Sequence, residues 1–202
     1  MNANKDWKGN RSSKYVLLGA SNHTEKPRAV HDFYATDPTA VLRLAAVKHL
    51  PHIIYECACG EGHISKALIS LNHQVFSTDL INRGYGTGGI DFLKVQSLPT
   101  GCTCILTNPP YKYTNEFIEH ALELLPVGGE VIFLLNINIL AGKERYRRFY
   151  QYQLLAECWL FTGRIQCAKN GNFDIAASSA VNYAWFVFRK GFHGTTALHW
   201  LP

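Results

Sequence analysis

Asn108-Pro109-Pro110-Tyr111 follows directly on the apolar run Cys104-Ile105-Leu106-Thr107. The tetrapeptide combines what an exocyclic amino nitrogen needs. The carboxamide oxygen of Asn108 and the backbone carbonyl of Pro109 can both accept hydrogen bonds from an NH2 group, and the fixed φ of Pro110 holds that carbonyl in place. Tyr111 adds a flat face for stacking. The same four residues also fit a strand that stops at a Pro-Pro turn beside a surface tyrosine, so the surrounding chain decides between the two.

Fifty residues earlier, Ile53-Ile54-Tyr55 runs into Glu56-Cys57-Ala58-Cys59-Gly60-Glu61-Gly62 and then into a helical pattern from His63 to Leu71. This reads as strand, glycine turn, helix. Gly60 and Gly62 let backbone approach a ligand closely, and the first turn of the following helix offers free N–H groups to a carboxylate. A dinucleotide-binding turn would have a third glycine, but position 65 is Ser. A second strand, Gln74 to Thr78, ends in Asp79-Leu80, about 20 residues past the turn, where an acidic side chain binds a ribose hydroxyl. Asp91-Phe92 follows the glycine-rich stretch Gly84 to Gly89 and suits either an adenine edge or an Asx turn. His63 is expected to be a packing or surface residue.

With these motifs in place, the chain resembles the class I S-adenosylmethionine-dependent methyltransferases, and within them the small phage and prophage DNA adenine-N6 methyltransferases. The likeness is carried by Asp32-Phe33-Tyr34-Ala35-Thr36-Asp37-Pro38, the Glu56 to Gly62 turn, Ser77-Thr78-Asp79-Leu80, Asp91-Phe92, Asn108 to Tyr111 and the late apolar run Ala184-Trp185-Phe186-Val187-Phe188. It implies a Rossmann-like α/β fold and S-adenosyl-L-methionine as cofactor. Tyr34, Thr36, Asp37 and Pro38 would then close over the methionine end of the cofactor, and Glu56, Ala58, Gly60 and Gly62 would surround its amino acid moiety. Asp79 and Leu80 would take the ribose, Asp91 and Phe92 the adenine, and Asn108, Pro109, Pro110 and Tyr111 the target base. The same constellation also suits an RNA or a protein-glutamine N-methyltransferase, or a nucleic-acid-binding module that has kept the fold without catalysis. The chain departs from sequence-specific members in having no long stretch for a large target-recognition domain, and its glycine turn holds two unusual cysteines.

A chain of 202 residues, 47% hydrophobic, can bury a sizeable core as one domain. Its apolar runs are too short to span a bilayer and its polar start lacks a secretory core, so a soluble, cytoplasmic protein is expected, with its six cysteines kept as thiols. Cys57/Cys59 and Cys102/Cys104 are Cys-x-Cys pairs at the ends of neighbouring strands, but a single intervening residue is short for zinc ligands, and no metal is expected.

Of the net charge of +5, a surplus of four lies in residues 1–28, where six Lys and Arg face two Asp and Glu. Residues 1–30 therefore read as a basic, flexible arm, and 31–202 as a single methyltransferase domain. Arg145, Arg147 and Arg148, interleaved with Tyr146, Phe149 and Tyr150, form a second basic cluster that suits a nucleic-acid backbone, although a solvated helix face is the commoner meaning of such a run. The long irregular stretch from Gly163 to Asn182, with Arg164 and Lys169, is a further candidate for target contact, and DNA is the expected partner.

Alternating apolar strands and amphipathic helices predict a parallel sheet covered by helices on both faces, and the resemblance implies that it is mostly parallel and seven-stranded. Asp37-Pro38 predicts a helix start, with the helix running to about Leu50. Strands are expected at 53–58, 74–79, 102–107 and 131–136, with helices at 62–71, 114–125 and 143–152. Strands near 156–161 and 183–189 are expected to form an antiparallel edge pair.

Overall fold

The computed structural model describes residues 34–169 and 181–202. The basic arm over residues 1–30 lies outside the described residues, as do Asp32, Phe33 and most of the expected target-contact stretch. The first described element is a short strand, β1 (Tyr34–Thr36), which leads into helix α1 (Thr39–Val47). Strand β2 (Ile53–Glu56), helix α2 (His63–Ser70), strand β3 (Gln74–Ser77) and strand β4 (Cys104–Thr107) follow. Then come helix α3 (Thr114–Leu124), strand β5 (Glu130–Asn136), helix α4 (Lys143–Arg148), and strands β6 (Leu155–Phe161), β7 (Cys167–Lys169), β8 (Tyr183–Arg189) and β9 (Ala197–Leu201).

Seven strands form one sheet in the order β3-β2-β4-β5-β8-β6-β9. β3, β2, β4 and β5 run parallel, β8 is antiparallel to both β5 and β6, and β9 lies parallel to β6 at the edge. The antiparallel β6–β8 pair is thus as expected, with β9 closing the sheet beyond it. β1 and β7 pair separately as a two-stranded antiparallel ribbon.

Side-chain alternation along the central strands divides the core into two layers. On one face Tyr55, Ile105, Val131, Phe133, Leu135, Phe186 and Phe188 pack under Phe117, Ile118, Ala121, Leu122 and Leu125 of α3 and the turn that ends it. On the other, Ile54, Cys104, Leu106, Ile132, Leu134, Trp185 and Val187 pack under Ala40, Val41 and Leu44 of α1 and Ile64, Ala67 and Leu68 of α2. The strands are buried on both faces, which is why they read as continuous apolar runs. Cys57 and Cys102 belong to the first layer and Cys104 to the second, so the four Cys-x-Cys thiols do not converge on a common point.

Helix α4 is shorter than the predicted 143–152. Phe149, 1% exposed, turns into the core with φ −129°, and a 3-10 turn over Tyr150–Tyr152 ends at left-handed Gln153. At the amino-terminal ends of the parallel strands, Lys48 and Arg189 both pair with Glu130 and Glu157 at 2.6–3.2 Å. The carboxyl ends of those strands, at the opposite edge, carry a cleft.

Candidate functional site

In an open parallel sheet, loops leaving the carboxyl ends of the strands enclose a crevice. Here that crevice is a cleft of about 640 Å³. Glu56, Cys57, Ala58 and Cys59 reach it from the turn after β2, Asp79 and Leu80 from the end of β3, and Asp91 and Phe92 from the next loop. Asn108, Pro109, Pro110 and Tyr111 enter after β4, and Tyr34 and Thr36 come over the top from β1. The strand-end motifs predicted from sequence therefore share one cavity, although they are spread over nearly 80 residues.

The turn after β2 is shaped by left-handed glycines. Gly60 (φ 55°) and Gly62 (φ 79°) adopt conformations that side chains disfavour, and neither belongs to the cleft wall. Gly62 is also pressed against Tyr85 from the glycine-rich loop: a Cβ there would lie 2.3 Å from the ring. That loop is tied back along β3 through Asp79 N–H to the Thr87 carbonyl (3.0 Å), Thr87 N–H to the Ser77 carbonyl (2.9 Å) and Ile90 N–H to the Asp79 carbonyl (3.0 Å). The Asp79 carboxylate accepts from Gly60 N–H and Ile81 N–H, each at 2.8 Å, one on each oxygen. It thereby locks the turn, and each oxygen keeps a lone pair for a further donor.

Glu56 is 1% exposed and lies on the cleft wall. Burial pushes its carboxyl up to about 8, the Ser65 hydroxyl that donates to it pulls down, and Asp79 adds a smaller upward push. Ser65 in turn shares a 2.6 Å hydrogen bond with Ser77. The residue that replaces the third glycine of a dinucleotide turn is thus the hydrogen-bond partner of a buried acid. No sequence pattern announces this link. His63, at the start of α2, also lines the cleft, and burial lowers its pKa. The sequence alone predicts a packing or surface residue at this position.

Asn108 stands at the end of β4 with its amide held from one side. Its Nδ2 donates to Thr36 Oγ1 at 3.0 Å and to the Tyr34 carbonyl at 3.4 Å. Its Oδ1 is buried and accepts no hydrogen bond among the described residues. The Pro109 carbonyl likewise accepts none among them, whereas that of Pro110 takes Tyr113 N–H at 3.0 Å. Asn108 and Pro109 both line the cleft, and the Asn108 oxygen is a buried acceptor without a partner among the described residues, which is unusual because buried acceptors are nearly always paired. Tyr111 is less free than a stacking platform would be. Its hydroxyl donates to the Tyr183 hydroxyl at 2.9 Å, its ring stacks near Tyr183 and tilts against Tyr34, and burial raises its pKa.

Other expected site residues have structural duties. Asp37 accepts Thr39 N–H at 2.8 Å and Pro38 opens α1, so both shape the helix start and neither lines the cleft. Asp91 accepts Leu93 N–H at 3.2 Å and pairs with Lys94 at 3.2 Å, while Phe92 packs among Tyr55, Phe117 and His120 beside the cleft. Arg148 does not stand free for a phosphate. It grips Glu119 with a bidentate pair (2.6 and 2.5 Å) and reaches Glu144 at 2.8 Å. Arg145 bonds Asn115 and the Ala141 carbonyl. Arg147 is exposed beside Lys143 and Tyr146 in a shallow groove, and Arg164 is exposed on the turn after β6. Lys169 is described only as the β7 partner of Tyr34.

No family model matches the sequence and no curated protein matches it. Solved structures do resemble the fold. A Listeria monocytogenes protein assigned as a class I S-adenosylmethionine-dependent methyltransferase superposes with TM-score 0.57 and 12% identity, over 93% of this chain and 72% of that one. A Pyrococcus horikoshii protein assigned as an RNA methyltransferase gives TM-score 0.57 and 15% identity over 91% of this chain and 100% of its own. The type IIG restriction endonuclease BpuSI gives 0.52 and 12% over 87% of this chain and 27% of its own length. At such identities the likeness concerns architecture, and with the strand order above it identifies the chain as having the Rossmann-like class I methyltransferase fold.

Proposed function

We propose that this chain transfers a methyl group from S-adenosylmethionine to an exocyclic amino nitrogen of a nucleic acid, and that the acceptor is N6 of adenine in DNA. The observation that carries the reading is the unpaired, buried Asn108 Oδ1, on a residue that lines the cleft beside Pro109, into which the β2 turn also reaches. An NH2 group carries two donors and can satisfy two neighbouring acceptors at once.

The cleft fits the cofactor. Its volume lies within the range of small-molecule sites, Asp79 keeps lone pairs for hydroxyl donors, and Glu56 offers a buried acid on the same wall. Bound S-adenosylmethionine supplies an electrophilic methyl carbon on a sulfonium leaving group. Asn108 and Pro109 would hold the acceptor's N–H groups and aim the nitrogen lone pair at that carbon, with the C–N bond forming as the C–S bond breaks and the thioether leaving. The extra proton on nitrogen then leaves along one of these two hydrogen bonds to water. No side chain need act as a nucleophile, because positioning alone supplies much of the barrier reduction. A duplex adenine must leave the stack to reach the cleft, at a cost of a few kcal/mol offset by contacts at Tyr34 and Tyr111. Lys143 and Arg147, with exposed Tyr146 between them, suit the phosphate backbone.

An RNA base or a glutamine side chain presents the same NH2 donors. The discriminating experiment incubates purified protein and methyl-labelled cofactor separately with DNA, RNA and protein extract. Label confined to N6-methyladenine in digested DNA supports the proposal, and label found only in RNA or protein moves the substrate class.

A further inference from the structure

Resting on the reading that Asn108 holds the acceptor nitrogen, we propose that Thr36 is a positioning residue: the Tyr34 carbonyl, which can only accept, sets which end of the Asn108 amide faces β1, and the Thr36 hydroxyl holds the amide there, so that the site selects amino over carbonyl groups.

A carboxamide is nearly symmetric in shape, so hydrogen-bond partners decide which end carries the oxygen. Asn108 meets two such partners in β1, 72 and 74 residues away in sequence, and its side chain also hydrogen-bonds with that of Tyr111. The Tyr34 carbonyl can only accept. A reversed amide would set Oδ1 against that carbonyl oxygen at 3.4 Å, with two acceptors and no proton between them. The Thr36 hydroxyl, 3% exposed, supplies the shorter bond at 3.0 Å. With the N–H end of the amide turned to β1, the Asn108 oxygen is the end left without a partner among the described residues. The Pro109 carbonyl beside it is an acceptor by covalent structure, so both groups of the pair then demand a donor. A keto oxygen in place of the amino group would meet two acceptors and leave all three unpaired, a mismatch that binding sites reject strongly.

The clamp itself is anchored. Thr36 and Tyr34 belong to the ribbon in which Tyr34 faces Lys169, Ala35 faces Ala168 and Thr36 faces Cys167, and Asp37 N–H adds a bond to the Gln166 carbonyl at 3.1 Å. This gives the separate two-stranded ribbon a function: it carries the hydroxyl that orients a residue of the main sheet.

The test compares Thr36→Val, which keeps the shape and removes the hydroxyl, with Thr36→Ser, which keeps the hydroxyl. Thr36→Val should lower kcat for amino methylation about five- to tenfold, the worth of one hydrogen bond. Thr36→Ser should restore kcat to within about twofold. Independently of activity, the Asn108 side-chain NH2 resonances, assigned by their loss in Asn108→Ala, should exchange slowly with water in wild type and Thr36→Ser, and faster in Thr36→Val. Wild-type kcat and unchanged exchange in Thr36→Val would overturn the proposal. If Thr36→Val fails to fold, wild-type protein decides: exchange of the Asn108 NH2 protons as fast as in an exposed asparagine overturns it. Full activity in Asn108→Ala would instead overturn the underlying functional reading.

Discussion

Glu56 offers a perturbation whose size and sign follow from its surroundings. It ends β2 at 1% exposure, and burial lifts its carboxyl from 4.5 to about 8 despite the hydroxyl of Ser65. Below pH 4.5 the group is protonated in folded and unfolded chains alike and contributes nothing. Between about 4.5 and 8 the unfolded chain releases the proton while the folded one keeps it, so the folded state binds more protons and stability falls as pH rises. Above about 8 both states are ionised and the penalty is constant. The span from 4.5 to about 8, at about 1.36 kcal/mol per pH unit, sets a ceiling on the order of 5 kcal/mol, which relaxation around the charge reduces to about 2–4 kcal/mol. Glu56→Gln keeps an acceptor for Ser65 and a donor like that of the neutral acid, but cannot ionise. Urea denaturation at intervals from pH 5 to 9 should give wild type and variant nearly equal stability at pH 5, and a gap that widens in the variant's favour to about 2–4 kcal/mol near pH 8. Parallel stability curves across that range would refute the buried, neutral carboxyl.

Two further substitutions probe the shape of the site and its surface. Gly62→Ala forces a left-handed alanine and drives its Cβ to 2.3 Å from the Tyr85 ring, so thermal unfolding should register a loss of about 2–4 kcal/mol. Tyr85→Ala in the same chain should recover all but about 1 kcal/mol of backbone cost, and no recovery would place the strain elsewhere. Arg148→Ala should cost about 1 kcal/mol of stability through its lost carboxylate partners and leave the salt dependence of nucleic-acid binding unchanged, whereas Arg147→Ala should reduce that salt slope by about one. The opposite pattern in a filter-binding titration would return Arg148 to the nucleic-acid surface.

The sequence was most informative where burial is two-sided. Ile53 to Tyr55, Cys104 to Thr107, Val131 to Leu135 and Ala184 to Phe188 announce buried parallel or flanking strands because both of their faces meet helices. The predicted strand-end motifs share one cleft for the same reason, since topology alone gathers the carboxyl ends of parallel strands. Strand β9 escaped notice because Ala197-Leu198-His199-Trp200-Leu201 buries only its last residue and earns its place by pairing with β6. The fate of Arg148 was equally hidden: a count of basic residues contains no information about Glu119, 29 positions away. The same holds for Thr36 and Asn108, whose bond crosses from the β1 ribbon to the main sheet, and for the serines that buffer Glu56. Local patterns specify elements, and long-range polar partnerships appear only once the elements are packed.

The most direct test of the central claim is nucleoside mass analysis of DNA after incubation with the protein and methyl-labelled S-adenosylmethionine, with Asn108→Ala run alongside. We expect labelled N6-methyladenine from wild type and a drop of at least about 100-fold in the variant, which should still bind cofactor with near wild-type affinity. Equal labelling by the two proteins, or a wild type that binds the cofactor yet labels only ring carbons, would contradict the assignment of Asn108 and Pro109 as the seat of the acceptor nitrogen.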